Sequence, residues 1–326
     1  MTEAGDTAEA SASAGSLYWQ QPFWPQTFTN AAAFGLLRHF ASRPHSPQLI
    51  LEARADVTGV EYLIGSQLRH RAAVRRAVEQ LVEGAIVTSV DPADRHRVTT
   101  ARRIQLSTSM RQLEPADAVA SHRSILHALT AVRKGEQLII QIVLGPRHHP
   151  TRAPQQPARG DQPLVSKLLH GVLADTRPEA RKAVQDKLGQ HAFTAAVRIG
   201  VHATTAERRQ VLLTGLTAAI STTESPDVRI LLRQEKPDRV NTPRASWSPF
   251  TPAQRLTVSE VARLSGWPIA DHDERYPGQP PRHPRLVRPS PLLASGERMI
   301  AKASAPGTAG TTIGYNVTDL PCGIPG

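Results

Sequence analysis

The sequence predicts an α+β protein made of two ferredoxin-like (split βαβ) units, followed by a small C-terminal β-rich appendage. Stretches rich in Val, Ile and Leu alternate with amphipathic helical stretches along most of the chain. The length of 326 residues is about twice that of a typical domain. A proline-rich segment at 146–163 separates two regions that have this alternating pattern, so we predict that it is a linker.

The N-terminal part of the chain differs in composition from the rest. Residues 1–16 are small and polar, which predicts a disordered tail. Residues 17–47 contain a cluster of aromatic side chains and are predicted to form an N-terminal arm. Such an arm packs either on its own domain or on a partner, and both interpretations stay open. The candidate partner-docking residues are Trp19, Phe23, Trp24 and Phe28.

Residues 48–145 are predicted to form the first α+β unit. Apolar residues at positions 68, 72, 78 and 81 recur at helical spacing and predict an amphipathic helix, which Gly84 ends. Apolar runs bounded by turn residues predict the strands. The expected strands are 48–53, 60–64, 85–90, 103–107 and 136–144, and the expected helices are 67–83 and 116–132.

Residues 164–236 are predicted to form the second α+β unit. Apolar residues alternate with others over 195–201, as they do in a half-buried strand. Thr204 and Glu207 form a predicted capping box, which opens a helix that runs to about Ser221. Further helices are expected at 163–173 and 178–188, and a closing strand at 228–233.

Residues 237–326 are predicted to be a proline-rich extension. A short helix is expected at 257–266, and short strands are expected within 299–317. The short helix resembles the first helix of a helix-turn-helix motif. Because Pro268 and Pro277 follow where a recognition helix would begin, we expect it to be a structural helix closed by Gly266.

Composition excludes several classes of protein. The one cysteine, Cys322, cannot form an internal disulfide or a cysteine-rich metal site, which indicates a reducing compartment. No apolar stretch approaches the roughly 20 residues that a membrane-spanning helix needs, and the acidic N-terminus does not fit a secretory signal. A cytoplasmic protein without a transmembrane segment is therefore expected.

The sequence contains none of the common catalytic motifs that we sought. The patterns GxxxxGK[ST], GxGxxG, HExxH and GxSxG are all missing. The pairs His148–His149 and His122/His127 lack the spacing or the neighbours of a metal site, so no metal is predicted. We therefore expect no catalytic residues and no cofactor in this chain, and we expect that it is not an enzyme by itself.

The chain is basic, with a formal net charge of +11, and arginine provides most of its positive charge. Two basic helix segments are candidates for nucleic-acid binding. A solvated outer helix face has the same composition, so this interpretation stays open as well. The candidate residues are Arg69, Arg75 and Arg76 in the first unit and Arg208 and Arg209 in the second.

The order and spacing of several apolar motifs resemble one protein family. The chain is similar to the N-terminal, pre-motor region of actinobacterial conjugative DNA-transfer (type IV secretion-like) ATPases of the FtsK/HerA class. The resemblance covers residues 17 to 318, nearly the whole chain. The motifs that carry it are Gln48–Ala53, Gly59–Gly65, Glu136–Pro146, Phe193–Val201, Leu256–Pro268 and His283–Leu286.

The resemblance implies that this region precedes a P-loop motor domain and that residues 300–317 correspond to strands leading into the nucleotide site. The chain ends where the phosphate-binding loop would be expected, so ATP binding is not carried over. The implied function is that of a non-catalytic accessory module that assembles or docks the transfer machinery. Its expected partner is a second copy or a motor or secretion-channel protein, at a position peripheral to a membrane-bound complex. The alternative is a standalone basic DNA-binding or regulatory protein.

Overall fold

The computed structural model describes eleven parts of the chain. Within them, nine strands form one largely antiparallel open sheet, and seven α-helices accompany it. The α+β class is therefore confirmed. The predicted disordered tail at 1–16, the helix at 163–173 and most of the linker at 146–163 lie outside the described residues. The described residues are 17–43, 47–91, 95–114, 117–152, 178–244, 247, 252–271, 276–278, 298–302, 310 and 312–315.

The first half of the sheet is formed by residues 17–90. In this half, one strand and one helix precede a β-hairpin, and a second helix then leads to the last strand. The elements are β1 (Leu17–Phe23), α1 (Asn30–Ser42), β2 (Leu49–Asp56), β3 (Gly59–Gln67), α2 (Arg71–Leu81, after a 3₁₀ turn at Leu68–His70) and β4 (Ile86–Val90).

The second half begins at residue 100 and repeats this order of elements, with one additional helix before its third strand. Its elements are β5 (Thr100–Leu106), α3 (Ala118–Leu129), β6 (Gln137–His148), α4 (Pro178–Leu188), β7 (Ala192–His202), α5 (Ala206–Ser221) and β8 (Ile230–Glu235). Five elements follow: α6 (Asp238–Asn241), β9 (Gln254–Thr257), α7 (Val258–Leu264), β10 (Arg298–Lys302) and β11 (Thr312–Tyr315).

The strand order shows how the two halves are joined. The sheet runs β4-β1-β3-β2-β6-β7-β5-β8, with β9 paired to β7, and β10 and β11 form a separate two-stranded sheet. Each half has its fourth strand outermost, then its first, third and second strands. The two second strands, β2 and β6, pair at the centre from Leu49↔Leu144 to Ala55↔Leu138.

This strand order differs from the predicted grouping of elements. The segment predicted as an arm contains β1, which lies inside the sheet between β3 and β4. Strand β5, which we placed with the first unit, pairs with β7 and β8. Hydrophobic alternation indicates that a segment is a strand, but it does not indicate which strand lies beside it.

The main core lies between one face of the sheet and the helices. Residues 49, 51, 53 and 55 of β2 face this core because side chains alternate between the two faces of a strand. The apolar residues of β6 and β7 that face the same side complete the floor of the core. The helices contribute the buried side chains Leu36 and Leu37 of α1, Val74 of α2, Ile125 of α3, Leu216 of α5 and Val261 of α7.

Two predicted helix starts can be compared with the observed caps. Thr257 and Glu260 form a full capping box at the start of α7, as the sequence pattern indicates. The cap of α5 is Thr205 instead of Thr204, since the Thr205 hydroxyl accepts a hydrogen bond from the Arg208 backbone N–H at 3.1 Å. The helix predicted at 67–83 is shorter than expected because its first turn is a 3₁₀ turn.

Gly266 closes the turn after α7, where φ is +69°. A Cβ atom at this position would lie 3.1 Å from the Cβ of Ala53, so the turn also needs a small residue for packing. The residues that follow, as far as the described segment reaches at Asp271, contain no second helix. Among the described residues, no helix is long and apolar enough to cross a bilayer.

We predict that the substitution Ile140→Ala lowers the free energy of unfolding by about 2–5 kcal/mol, because it leaves a cavity in the middle of β6. Ile140 is fully buried in the main core. Urea unfolding followed by circular dichroism and by tryptophan fluorescence is expected to remain a single coincident transition, since one sheet joins both halves.

The matched control is Val211→Ala on α5, where the side chain is 58% exposed. This variant is expected to change the free energy of unfolding by no more than about 0.5 kcal/mol. Two separate transitions in the wild-type protein would contradict the prediction.

Candidate functional site

The three arginines predicted near the first basic helix are exposed to solvent. Arg69 lies in the 3₁₀ turn before α2, and its Nε donates to His70 Nε2 at 3.1 Å. Arg75 pairs with Glu79 one turn later on α2 at 3.2 Å, and Arg76 lies beside it. An exposed ion pair of this kind contributes between about 0 and 1 kcal/mol. The exposure of these arginines therefore fits both interpretations, a ligand-binding surface and an ordinary solvated helix face.

The two arginines predicted in the second unit have structural partners. The Arg208 Nε and Nη2 atoms donate to the two carboxylate oxygens of Glu136 at 2.8 and 2.9 Å, and Nη2 also donates to the Ala131 carbonyl. The hydrogen bonds from Arg208 lower the pKa of Glu136 below its usual value. Arg209 donates to the Ala203 carbonyl at 2.8 Å. These arginines hold the start of α5 in place, in the other half of the sheet from Arg69.

The candidate partner-docking aromatics contribute to packing within this chain. Trp24 stacks on Phe28 with ring centroids 4.4 Å apart, and the Trp267 ring lies 5.0 Å from that of Trp24. Phe28 is fully buried, and Trp19 is only 2% exposed. Phe23 and Trp24 are half-buried. Trp19 and Phe28 therefore pack within their own domain, which is the first of the two interpretations of this segment.

The histidine pairs lie in different environments. His122 on α3 is 2% exposed, whereas His127 on the same helix is exposed. Burial, together with a smaller effect of the Arg263 charge, lowers the pKa of His122 to about 4. The His148 ring is 2.7 Å from the Thr194 hydroxyl. Among the described residues, no three His, Cys, Asp or Glu side chains are grouped as metal ligands would be.

The sheet face opposite the main core contains a buried polar network. Its centre is Glu52 on β2, whose side chain is inaccessible to solvent. The Glu52 carboxylate accepts hydrogen bonds from Arg95 and Gln141, both at 2.7 Å, and from Arg54 at 3.0 Å. The Arg95 guanidinium also lies over the Trp19 ring, 3.8 Å from its centroid. Three donors thus surround one buried carboxylate.

The network continues across the centre of the sheet. Gln141 on β6 accepts from Arg198 Nη1 on β7 at 3.0 Å, and it donates to the Val240 carbonyl in α6 at 3.0 Å. Arg198 Nη1 also donates to the Arg239 carbonyl at 2.7 Å. The Arg198 Nε atom lies 3.7 Å from Glu235 Oε2 on β8. One connected set of polar side chains therefore extends from β2 to β8.

Two segments outside the sheet cover this network. Arg95 belongs to the segment between β4 and β5, and Asn241 ends α6. The Asn241 side chain accepts from the Val98 backbone N–H at 2.8 Å and donates to the Val98 carbonyl at 3.0 Å. The two covering segments are thus bonded to each other as well as to the sheet. This arrangement holds the backbone of the covering segments in place above the network.

The sequence contains a signal for this network that the motif search did not use. Glu52, Gln141 and Arg198 each have an apolar residue on both sides within a predicted strand. A charged or amide side chain at such a position is buried only when it has a partner. Three such positions therefore indicate a shared polar layer, although the sequence does not show that they lie in one cross-strand row.

A second buried ion pair lies on the helical side of the sheet. Lys187 on α4 donates to Glu260 Oε1 on α7 and to the Arg111 carbonyl, both at 2.8 Å. Glu260 also accepts from the Leu113 and Thr257 backbone N–H groups at 2.9 and 2.8 Å. Burial lowers the pKa of Lys187, while the charge of Glu260 opposes this effect. The pair connects α4 to α7, and both of its side chains make structural contacts.

Comparison with known proteins adds little to this description. The sequence matches no protein-family model, and no curated protein is significantly similar to it. One similar solved structure is a chitooligosaccharide oxidase, with 13% sequence identity and a TM-score of 0.33. The alignment covers 67% of this chain and 46% of that one, so this chain matches less than half the length of the oxidase. A similarity this low supports no transfer of fold or activity.

We predict that Glu52→Gln lowers the free energy of unfolding by about 3 kcal/mol, because it leaves buried guanidinium groups without a counter-charge. Thermal and urea unfolding would measure the loss. Glu207→Gln, at an exposed position on α5, is the matched control and is expected to change stability by about 0.5 kcal/mol or less. Equal effects of the two substitutions would contradict a stabilising role for the network.

We also predict a dependence of stability on pH that arises from His122. The pKa of His122 is about 4 in the folded chain and 6.5 without the effects of the fold. Between these values the unfolded chain binds the proton and the folded chain does not. The stability from neutral His122 is therefore present above pH 6.5 and is lost as the pH falls through about 4.

The shift corresponds to a loss of about 3 kcal/mol over this range. Urea unfolding at a series of pH values is expected to show a smaller loss in His122→Leu than in the wild-type protein. His127→Leu, which removes an exposed histidine from the same helix, should keep the wild-type pH dependence. Parallel curves for the wild type and His122→Leu would show that the prediction is wrong.

Proposed function

We propose that this chain is a non-catalytic module of a conjugative DNA-transfer (type IV secretion-like) ATPase and that it assembles or docks the transfer machinery through the edges of its sheet. The observation that carries the proposal is the open sheet. Among the described residues, no strand pairs with the outer side of β4 or β8. A free edge presents unpaired backbone N–H and C=O groups, which another strand can pair with.

We further propose that each half of the sheet is one ferredoxin-like unit. The strand–helix–strand–strand–helix–strand order of residues 17–90 and the 4-1-3-2 order of their strands support this assignment. The strands of residues 100–235 have the same order. In this arrangement the second strands of the units join at the centre, and the two fourth strands are left as the edges.

The proposal that this chain is non-catalytic rests on the hydrogen bonds and ion pairs of its buried polar groups. Glu52 and Gln141 are saturated by hydrogen bonds within the network, and Lys187 and Glu260 are paired with each other and with backbone groups. Catalytic acids, bases and nucleophiles must instead reach a substrate. The buried titratable groups of these two clusters are thus better suited to fixing the fold than to chemistry.

Strand β8 is the proposed docking edge because it is the more accessible of the two edges, whereas Ile86 and Val87 of β4 are buried. Most of its residues are exposed or half-buried, and the Leu232 side chain is 38% exposed. An apolar side chain on an unpaired edge favours strand addition, whereas a charged one opposes it. We propose that a strand of a second copy, or of a motor or secretion-channel protein, pairs with β8.

The alternative is a standalone basic DNA-binding or regulatory protein. The exposure of Arg69, Arg75 and Arg76 supports it, because these side chains can reach a phosphate backbone. The engagement of Arg208 and Arg209 in structural contacts weakens it. A steep salt dependence of duplex DNA binding that disappears in Arg75→Gln and Arg76→Gln would favour this alternative.

We predict that Leu232→Lys weakens self-association of the purified chain in sedimentation-velocity experiments over a range of concentrations, because a charge on the edge opposes strand pairing. Val211→Lys places the same charge at an exposed apolar site on α5 and is the matched control. It should associate as the wild-type chain does. A wild-type chain that stays monomeric at all concentrations, and that also fails to bind a motor domain, would contradict the assembly function. Hydrolysis of ATP at motor-like rates would contradict the non-catalytic part.

A further inference from the structure

Three arginines stand in one cross-strand row on the sheet face opposite the main core. In the register of the sheet, Arg103 on β5 lies directly opposite Arg198 on β7 and directly opposite Arg233 on β8. Neighbouring strands are about 4.8 Å apart, so the row spans about 10 Å. Like charges at directly opposed positions destabilise a sheet. The row is therefore an unfavourable concentration of positive charge unless something compensates for it.

A fourth arginine lies beside this row. Glu235 is two residues from Arg233 on β8 and therefore lies on the same face. Its carboxylate is 3.7 Å from Arg198 Nε and 3.6 Å from Arg239 Nε, which brings Arg239 of α6 to the end of the row. We call Arg103, Arg198, Arg233 and Arg239 the arginine row.

The charges in the arginine row are not balanced by the described residues around it. Glu235 is the one described carboxylate paired there, and Arg198 and Arg239 share it. Arg233 Nε donates to the Gln105 side chain, which is uncharged, at 3.2 Å. Four guanidinium groups with one carboxylate leave an excess of three positive charges.

The excess charge affects the buried member of the row. Burial lowers the pKa of Arg198 to about 10; the charge of Glu235 opposes this shift, while Arg239 and Arg103 add to it. The charges of Arg239 and Arg103 thus add to the larger effect of burial on Arg198. A bound anion would offset these charges.

The other arginines of this face have a different arrangement. Arg54 and Arg95 are buried, and both donate to the Glu52 carboxylate, so their charges are partly offset within the fold. In the arginine row, Arg233 is exposed, Arg239 is 44% exposed and Arg103 is half-buried. The arginine row thus differs from Arg54 and Arg95 because three of its four side chains can be reached by solvent and by a ligand.

We propose that Arg103, Arg233 and Arg239, with Arg198 beneath them, form a binding site for the phosphate groups of DNA. Guanidinium groups bind phosphate oxygens in a bidentate manner and remain charged at neutral pH. The row contains no aromatic side chain on which a base could stack, so contact is with the backbone and is independent of sequence. The choice of DNA rests on the proposed function, while the phosphate site rests on the arginine row itself.

The test compares two triple variants that remove the same charge. One is Arg103→Gln, Arg233→Gln, Arg239→Gln; the other is Arg69→Gln, Arg75→Gln, Arg76→Gln on the helical side. Binding of a fluorescein-labelled oligodeoxythymidine is followed by fluorescence anisotropy. At about 50 mM salt, the first variant is expected to lose at least about tenfold in affinity, and its salt slope should fall by about 2, because each lost phosphate contact of a single strand removes about 0.7.

The second triple variant is the control for non-specific charge and is expected to lose less than about threefold in affinity. Equal losses in both variants, or no binding by the wild-type chain, would overturn the proposed site. Competition by inorganic tripolyphosphate separates the sources of phosphate. If tripolyphosphate at equal phosphate concentration displaces the oligonucleotide completely, the site is one for free polyphosphate, and the DNA assignment is wrong.

Two further measurements keep the result interpretable. Circular dichroism shows whether the first triple variant is folded. If it is not, the single variant Arg233→Gln, at an exposed position, takes its place. Its affinity for the oligonucleotide is expected to fall about threefold. Sedimentation of the same samples tests the assembly function separately. A chain that stays monomeric, fails to bind a motor domain and binds DNA through the arginine row would support this inference and contradict the proposed edge docking.

Discussion

The pairing of β6 with β2 on one side and β7 on the other is the interaction on which the rest of the structure depends. It joins two repeats of the same strand order into one sheet. It also places β6 where both of its faces are covered, so Ile140 lies in the main core while Gln141 lies between Glu52 and Arg198. A shift of one residue in this register would exchange the two faces, and it would bury the apolar side chains among charges.

The two ends of the sheet face opposite the main core differ in their electrostatics. At the β2 end, Arg54 and Arg95 are buried and share the Glu52 carboxylate. At the β8 end, the described residues supply one carboxylate for the four guanidinium groups of the arginine row, and three of these groups are accessible. The same backbone arrangement therefore stabilises the fold at one end and presents positive charge at the other. The proposed functions accordingly reside at an edge and on a surface.

Much of the local structure could be predicted from the sequence, and the grouping of elements could not. Helix α4 has the predicted bounds, and the strand predicted at 85–90 differs from β4 by one residue. These elements depend on the periodicity of neighbouring residues, which the sequence displays directly. The assignment of β1 to an arm and of β5 to the first unit differs from the observed pairing because strand partners are distant in the chain. The family resemblance stays a prediction.

The sequence by itself determined the α+β class, the positions of most helices and strands, and the basic character of the chain. It also singled out Arg69, Arg75 and Arg76 as exposed basic residues on or near one helix. Only the tertiary structure decided which charges are neutralised: it paired Arg208 with Glu136 and surrounded Glu52 with donors. It also brought Arg103, Arg198 and Arg233 into one row. The physical reason is that local periodicity fixes secondary structure, whereas the environment of a charge depends on strand register between residues far apart in sequence.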